Sequence, residues 1–521
     1  MRSEGGKILG PDGRELLLRG VGLGNWLLPE GYMWGFGDDA ASPRQIEALV
    51  EDLLGASAAG EFWREFRDRF ITREDVVAIA EAGFDHVRLP INWRVVIGEN
   101  GDLVPGGIAL VDRLVEWCSQ AGILVLLDLH GAPGGQTGTN IDDSLGRPEL
   151  FMDERHVELT ERLWTELALR YRGEPTILGY DLLNEPLPHE WQHRYPAELV
   201  AVYRRLTAAI RAVDPDHLIM YEGSHWATNW DIFTEVWDPN SVLQFHRYWM
   251  APETAAISTY LEVGRRLGLP VYMGEGGENS PEWVAAAHQL YEDNGVGWNL
   301  WPWKKIETLT SPLSVVAPAG WDIVLDFASG VGGKPERAVA QRIFAELLEN
   351  FAVNRCVARP EIVAAAFRRA PVSLPAYGFT YRGEGVSYQS TGPVGETVMR
   401  TDDAISLRRR DGRSPVSFDH VVDPAPHELV VADMAEGEWL AFEVELGAGK
   451  WIVAVTFEPA LAAPTVSVNG ASLVGDVSAT PDGARVWRGV AVSTETSRRE
   501  IRVESIAGAL TLVSVAVEVA P

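Results

Sequence analysis

The sequence predicts an α/β chain: a closed (β/α)8 barrel followed by a C-terminal β-sandwich. Three observations carry that expectation. Through residues 1–370, short apolar runs alternate with stretches of helical periodicity. After Arg369 the helical periodicity gives way to alternating strands and glycine turn pairs. The chain, at 521 residues, also exceeds what a single hydrophobic core ordinarily supports, so more than one domain is expected.

The apolar runs are Leu16–Trp26, Phe84–Asn92, Ile123–His130, Ile177–Glu185, Leu218–Gly223, Val242–Trp249, Val271–Glu275 and Gly297–Trp303. Helical patterns fall between or after them at Glu61–Ala82, Ile108–Ala121, His156–Tyr171, Glu198–Val213, Ala255–Leu267, Trp283–Asp293 and Glu336–Phe351. A glycine closes several helices just before a strand, as at Ala82-Gly83 and Ala121-Gly122. Repeated β-then-α units favour closure into a TIM-type barrel. A doubly wound open sheet is the alternative, but no glycine-rich phosphate loop follows the first run. The boundaries expected are 1–370 for the barrel and 376–521 for the sandwich, on either side of Pro371–Pro375. In the sandwich, Trp439–Leu446 and Trp451–Phe457 alternate, and Asn469-Gly470 and Asp482-Gly483 mark turns.

A composition of 46% hydrophobic and 23% charged residues is ordinary for a folded soluble protein. The net charge of −29 argues against nucleic acid or an anionic membrane as partner. No apolar run is long enough to span a bilayer, so no membrane insertion is expected. Two cysteines, Cys118 and Cys356, are too few for a disulfide framework or a thiolate metal site. Cys118, within an apolar helical stretch, reads as a buried free thiol. Met1–Gly10 has no apolar signal region, so a cytoplasmic location is expected, with secretion the alternative if a leader precedes it. The sequence fixes no oligomeric state.

In a parallel barrel, chemistry sits at the C-terminal ends of the strands. Here those ends read Val87-Arg88-Leu89-Pro90, Leu127-Asp128-Leu129-His130, Leu183-Asn184-Glu185-Pro186, Tyr221-Glu222-Gly223, Phe245-His246-Arg247-Tyr248, Met273-Gly274-Glu275 and Trp298-Asn299-Leu300-Trp301. One polar residue ending a strand is usually structural. A whole rim of them costs stability unless it serves a ligand. Glu185 and Glu275 supply the paired carboxylates that glycoside hydrolysis needs, one to protonate the departing oxygen and one to attack the anomeric carbon. Glu222 is a third rim carboxylate whose neighbours form no motif, so it is not assigned to catalysis. A metal site from Asp128, His130 and His246 is the other reading of these ends. It lacks the His-x-His pair on the first strand that metal-dependent barrel hydrolases use, so no metal and no cofactor are expected.

With those residues in place, the first 350 or so resemble glycoside hydrolase family 5, of clan A, whose acid/base and nucleophile end the fourth and seventh strands. Leu183-Asn184-Glu185-Pro186 resembles the family signature. The resemblance implies Glu185 as acid/base and Glu275 as nucleophile. It also implies that Arg88, His130, Asn184, His246, Tyr248 and Trp301 line the subsite of the cleaved sugar. Arg88 and Tyr248 would then orient Glu275, Asn184 would bind the 2-hydroxyl, and Trp301 would stack under the ring. His130 and His246 would bind sugar hydroxyls or orient Glu185.

Two segments resemble one branch of the family, the exo-β-1,3-glucanases and diglycoside-cleaving β-glucosidases. They are Arg19–Glu30 and Leu127–Gln136, the latter followed by Asn140 and Asp142. That likeness implies Glu30 in the sugar pocket, closing it for exo action. Gly31-Tyr32 stand where the branch has Pro-Trp. The aromatic segments Tyr32–Asp39 and His225–Trp237 read equally as sugar platforms or loop cores. Ala435–Leu446 and Gly449–Val455 weakly resemble a family 6 carbohydrate-binding module, a pattern that encodes strand packing more than binding. The expected activity is a retaining exo-β-glycosidase of β-glucosidase or exo-β-glucanase type acting on a carbohydrate substrate. The alternatives are an endo-acting β-glucanase, β-mannanase or glycolipid-cleaving enzyme of the same family, and an inactive carbohydrate-binding barrel.

Overall fold

The computed structural model describes residues 1–36, 41–139, 141–392, 395, 397–413, 416–418, 425 and 428–521. The chain divides into two compact units. One comprises 1–247, 260–276 and 297–358, and the other 248–259, 277–296 and 359–521. The second unit thus takes 248–259, 277–296 and 359–370 from the stretch 1–370. Asn140 and the end of the Tyr32–Asp39 segment lie outside the described residues.

The first unit is built on a closed parallel barrel. Its strands are β1 (Arg19–Gly22), β2 (His86–Asn92), β3 (Leu124–Gly131), β4 (Ile177–Asp181), β5 (Leu218–Glu222), β6 (Ser241–His246), β7 (Val271–Gly277) and β8 (Gly297–Trp301). Each pairs with its neighbour in sequence, and β8 closes on β1 through Trp298↔Arg19, Asn299↔Gly20 and Leu300↔Val21. Every expected run overlaps its strand, and the strands at Leu124–Gly131, Ser241–His246 and Val271–Gly277 run one or two residues past theirs. β4 stops at Asp181, before Asn184 and Glu185, which sit on the turn that follows.

An antiparallel hairpin, Arg2–Glu4 with Lys7–Leu9, precedes the barrel. Ile8 packs with Leu18, Leu126, Leu178, Leu218, Met220, Val242 and Tyr272 in one buried cluster. These side chains bury apolar surface at roughly 25 cal/mol per Å² and leave the polar strand ends to the opposite mouth.

The helices follow the periodicity, with one correction. The single pattern Glu61–Ala82 is two helices, α2 (Ala56–Arg69) and α3 (Arg73–Ala82), preceded by α1 (Pro43–Leu54). The break comes from Thr72. Its hydroxyl and Asp75 form a capping box that starts α3 afresh, and Ser42 with Gln45 starts α1 in the same way. α4 (Pro105–Ala121) ends on Gly122 and α3 on Gly83, both left-handed caps as expected. α5 (Glu154–Tyr171), α6 (Pro196–Val213), α7 (Ser258–Leu267), α8 (Pro281–Asp293) and α9 (Arg337–Asn350) complete the main set. Among the described residues no helix is long and apolar enough to cross a membrane. Cys118 is a buried free thiol, and burial pushes its ionisation up.

The two aromatic segments are largely loop cores. Trp34 and Phe36 are buried and pack with Phe62, Phe66 and Trp321. Trp230 and Phe233 pack with Phe245, Tyr260 and Trp237. Tyr32 differs, being partly exposed.

The second unit holds two antiparallel sheets, consistent with the expected sandwich. One runs Ser406–Arg409, Val430–Met434, Leu510–Val519, Gly449–Phe457, Arg485–Ser493 and Gly475–Ala479, with Val372–Pro375 also paired to Leu510–Val519. The other runs Tyr388–Gln389, Trp439–Leu446, Ser497–Glu504, Thr465–Val468 and Ala471–Ser472. Leu440, Phe442, Val444 and Leu446 are buried at alternate positions, as are Val453, Val455 and Phe457, so each sheet turns one face inward. Helix α8 also belongs to this unit and is buried at every position from Trp283 to Tyr291, which suits a helix enclosed on all sides.

Candidate active site

The polar strand ends converge on one buried guanidinium. Arg88, on β2, is fully buried. Its Nε donates to Asp181 at 2.9 Å, and its Nη2 to Asn184 Oδ1 at 2.8 Å and Glu222 at 3.1 Å. Asp128 lies 3.1 Å from Nη2, and Nη1 donates to Glu275. One arginine therefore fixes groups from β3, β4, β5 and β7. Burial opposes its charge, yet the surrounding carboxylates hold it protonated well above its ordinary range.

That density of acids sorts their charges. Burial pushes Asp128 up to about 8 against the pull of Arg88. Asp181 is pushed well up by burial and by Glu222. Glu275 is raised by burial, with His246 and Arg88 pulling it back. Glu222 is buried too, but His246, Arg88 and the Glu185 N–H face it, and it ends below its ordinary range. His246 is its counterpart: burial disfavours the cation, but Glu222 and Glu275 raise it well above an ordinary histidine. Burial pushes His130 down to about 4.

The acid pair sits at the open edge of this cluster. His246 Nδ1 lies 2.8 Å from Glu185 Oε1 and 3.8 Å from Glu275 Oε2, and its Nε2 is 3.3 Å from Glu222. Single atoms of Glu185, His246 and Glu275 all lie within 4.8 Å of one another. Such a trio has the spacing of a metal site, but Glu275 is occupied by Arg88 and His246 by Glu185. A divalent cation there would face a fixed guanidinium, so the donor set fits a metal poorly. The trio considered in the sequence, Asp128, His130 and His246, is not the one brought together. Asp128 instead holds His130 Nδ1 at 2.7 Å.

Loop chemistry holds Glu185. Its φ is +46° and that of Leu187 +53°, a left-handed backbone that costs non-glycine residues about 1–3 kcal/mol. Hydrogen bonds fix it there. The Glu185 N–H donates to Glu222 Oε2 at 2.6 Å, and the Leu187 N–H to the Gln136 carbonyl at 3.1 Å. Gln136 is fully buried, and its Nε2 donates to the carbonyls of His130 at 2.7 Å and Asn184 at 2.9 Å. It thereby ties the β3 and β4 loops together. Asp142 accepts the N–H groups of Thr137 and Ser144 at 2.7 and 2.8 Å, which shapes the loop carrying Gln136.

Of the remaining expected residues, Trp301 and Glu30 of the first unit stand beside His130. The ring of Trp301 lies parallel to that of His130, 5.6 Å between centroids with 3° between planes. A Cβ on Gly22 would come within 2.3 Å of the Trp301 ring, so only glycine admits it. Trp301 Nε1 donates to Tyr32 Oη at 2.8 Å. Glu30 is buried, 3.9 Å from His130 Nε2. Tyr248 belongs to the second unit, with its ring 5.5 Å from that of Trp249.

The residues that sequence reading left unassigned are Asp128, Asp181, Glu222, Gln244 and Gln136. Gln244 Nε2 donates to Asp181 at 2.8 Å and also to Glu222. A signal for two of them was present. Asp128 and Gln244 stand two residues before His130 and His246, hence on the same strand face.

A closed parallel barrel with paired carboxylates at its mouth, held by arginine and histidine, is the arrangement of a barrel glycoside hydrolase. Comparison with known proteins gives the family. The model of cellulase, glycosyl hydrolase family 5, matches residues 53–306. A β-xylosidase of Phanerodontia chrysosporium is 30% identical over 348 residues, covering 59% of this chain and 71% of that protein. A probable glucan 1,3-β-glucosidase A of Aspergillus clavatus is 28% identical over 275 residues, covering 50% of this chain and 64% of that protein. A solved structure titled endogalactoceramidase aligns with 97% of this chain and 100% of its own, at 17% identity and a TM-score of 0.46. The chain belongs to glycosyl hydrolase family 5.

Proposed function

We propose that the chain is a retaining exo-β-glycosidase with Glu275 as nucleophile and Glu185 as acid/base. The observation that carries this reading is their spacing. Oxygens of the two carboxylates lie within 4.8 Å, close to the roughly 5–5.5 Å of retaining enzymes and well short of the 6.5–9.5 Å that admits an inverting water.

In the first step a Glu275 oxygen bonds to the anomeric carbon as the bond to the leaving oxygen breaks. Glu185 gives its proton to that oxygen, and a glycosyl ester remains on Glu275. In the second step Glu185 takes a proton from water, the hydroxyl bonds to the anomeric carbon, and Glu275 leaves as carboxylate. Arg88 aims Glu275 and balances its charge. Asn184 is held by Arg88 in position for the 2-hydroxyl. Trp301 offers an apolar face beneath the sugar. Glu30, buried beside His130, closes the subsite against a further sugar, which favours exo action.

Hydrolysis of nitrophenyl β-glycosides, with xylosides and glucosides both in the panel, tests the reading, and proton NMR reports the first anomer formed. Initial release of β-anomer from a monosaccharide glycoside is expected. An α-anomer would overturn retention. Cleavage of long oligosaccharides alone would overturn exo action.

A further inference from the structure

The first unit contains a lined cavity of about 440 Å³ between α1, α2, α4 and the end of β2. It is large enough for a small organic ligand. Its walls carry Arg64, Arg67, Arg94 and Arg113 against two acids, Glu47 and Asp68, in a chain whose net charge is −29.

Most of these charges are already engaged. Arg94 donates to Asp143 at 2.6 and 2.8 Å and to Glu47 at 2.9 Å. Arg113 donates to Asp68 at 3.0 Å, while its buried Nε has no acceptor. Arg64 lies 3.3 Å from Glu61 and 3.8 Å from Glu65, neighbours on its own helix. Arg67 is the exception. It is half-buried, and no described side chain pairs with its guanidinium. Burial and the nearby Arg94 weaken its hold on its proton, with Glu47 acting against them. Glu47, the acid that faces Arg67, already accepts from Arg94, so a partly desolvated cation there gains from a ligand that brings a further counter-charge.

Gly60 and Gly106 lie exposed at the rim of the cavity. A Cβ on Gly60 or Gly106, both lining residues, would meet nothing within 4 Å. Leu27, Pro29, Val95, Val104 and Leu110 provide apolar wall. Guanidiniums around an apolar pocket recognise a tetrahedral oxyanion by paired hydrogen bonds.

We propose that this cavity binds a phosphate group, free or carried on a small organic molecule such as a sugar phosphate, with Arg67 as its principal counter-charge. The site is separate from Glu185 and Glu275, so the proposal stands whether or not the glycosidase reading does.

The test is calorimetric titration of the full chain with inorganic phosphate and, separately, with glucose 6-phosphate, at fixed ionic strength. Saturable binding of at least one is expected. Arg67→Gln should weaken it by about tenfold or more, as expected for loss of a charged hydrogen bond. Gly106→Gln should weaken it by standing over the cavity mouth while leaving every arginine in place. Equal binding of both probes identifies the phosphate group as the ligand, and tighter binding of glucose 6-phosphate identifies a phosphorylated sugar. Absence of saturable binding by either probe, or unchanged binding in Arg67→Gln, would overturn the proposal. Circular dichroism on each variant checks that a loss is not one of folding.

Discussion

Two arginines of the first unit stand in opposite electrical settings. Arg88 is fully buried among Asp128, Asp181, Glu222 and Glu275 and holds its proton more tightly than free arginine. Arg67 is less buried, is faced by Glu47 but forms no ion pair among the described residues, and holds its proton less tightly. Burial pushes both the same way, so the number of carboxylates facing each guanidinium decides the outcome. A desolvated cation with an excess of acids becomes a scaffold that sorts protons among them. One with a deficit becomes a place for an external anion.

The largest effect should come from removing the acid that Arg88 presents to substrate. Glu275→Gln keeps an acceptor for Arg88 but lacks the charge to attack. Turnover of an aryl β-glycoside should fall on the order of 10^4-fold or more, with the circular dichroism spectrum unchanged. A Gln variant retaining wild-type turnover would remove Glu275 from the nucleophile role.

The two arginines can then be compared directly by stability. Arg88→Met leaves several buried acids without their cation and should cost about 3–5 kcal/mol, read from the urea midpoint of the barrel unit. Arg67→Met removes a charge without a paired acid and should change that midpoint by no more than about 0.5 kcal/mol. Equal losses from the two would mean that the contrast in carboxylate number does not govern them.

His130 extends the comparison to pH. Burial holds it down to about 4, below its ordinary value, so the folded chain binds fewer protons there than the unfolded one between about pH 4 and 6.5. Stability from this group is full above that window and is lost as the pH falls through it, by at most about 3 kcal/mol. His130→Gln should flatten the dependence of the urea midpoint on pH in that range. An unchanged slope would place the acid sensitivity in other groups.

The fold was legible because barrel strands buried on both faces write continuous apolar runs, and helices close on glycine. The acid pair was legible because Asn184-Glu185-Pro186 and Gly274-Glu275 follow such runs. The buried acids behind them were harder to place. Asp181 falls inside an apolar run, and Glu222 ends a strand whose neighbours form no motif. Their importance comes from Arg88 reaching four strands, a three-dimensional fact with no local pattern. The helix break at Thr72 was missed for the opposite reason: the capping box is written in sequence but lies within an unbroken amphipathic pattern.

Glu222 offers the finest test of the scaffold, since it touches Glu185 only through its N–H and through His246. Glu222→Gln preserves an acceptor for the Glu185 N–H and removes the anion that favours protonated His246. If Glu222 were only a packing residue, turnover would change with no movement of the pH profile. As a positioning residue it should do both. Turnover should fall by about tenfold to a hundredfold, the scale of a small misplacement of a reacting group. The basic limb of kcat/KM should move to lower pH, because His246 would lose its proton earlier once Glu222 no longer faces it. His246 Nδ1 lies 2.8 Å from Glu185 Oε1, so loss of the His246 proton changes the hydrogen bond at that carboxyl. Movement of the limb to higher pH would mean that Glu222 opposes protonation of His246, and the scaffold around Arg88 would have to be reassigned.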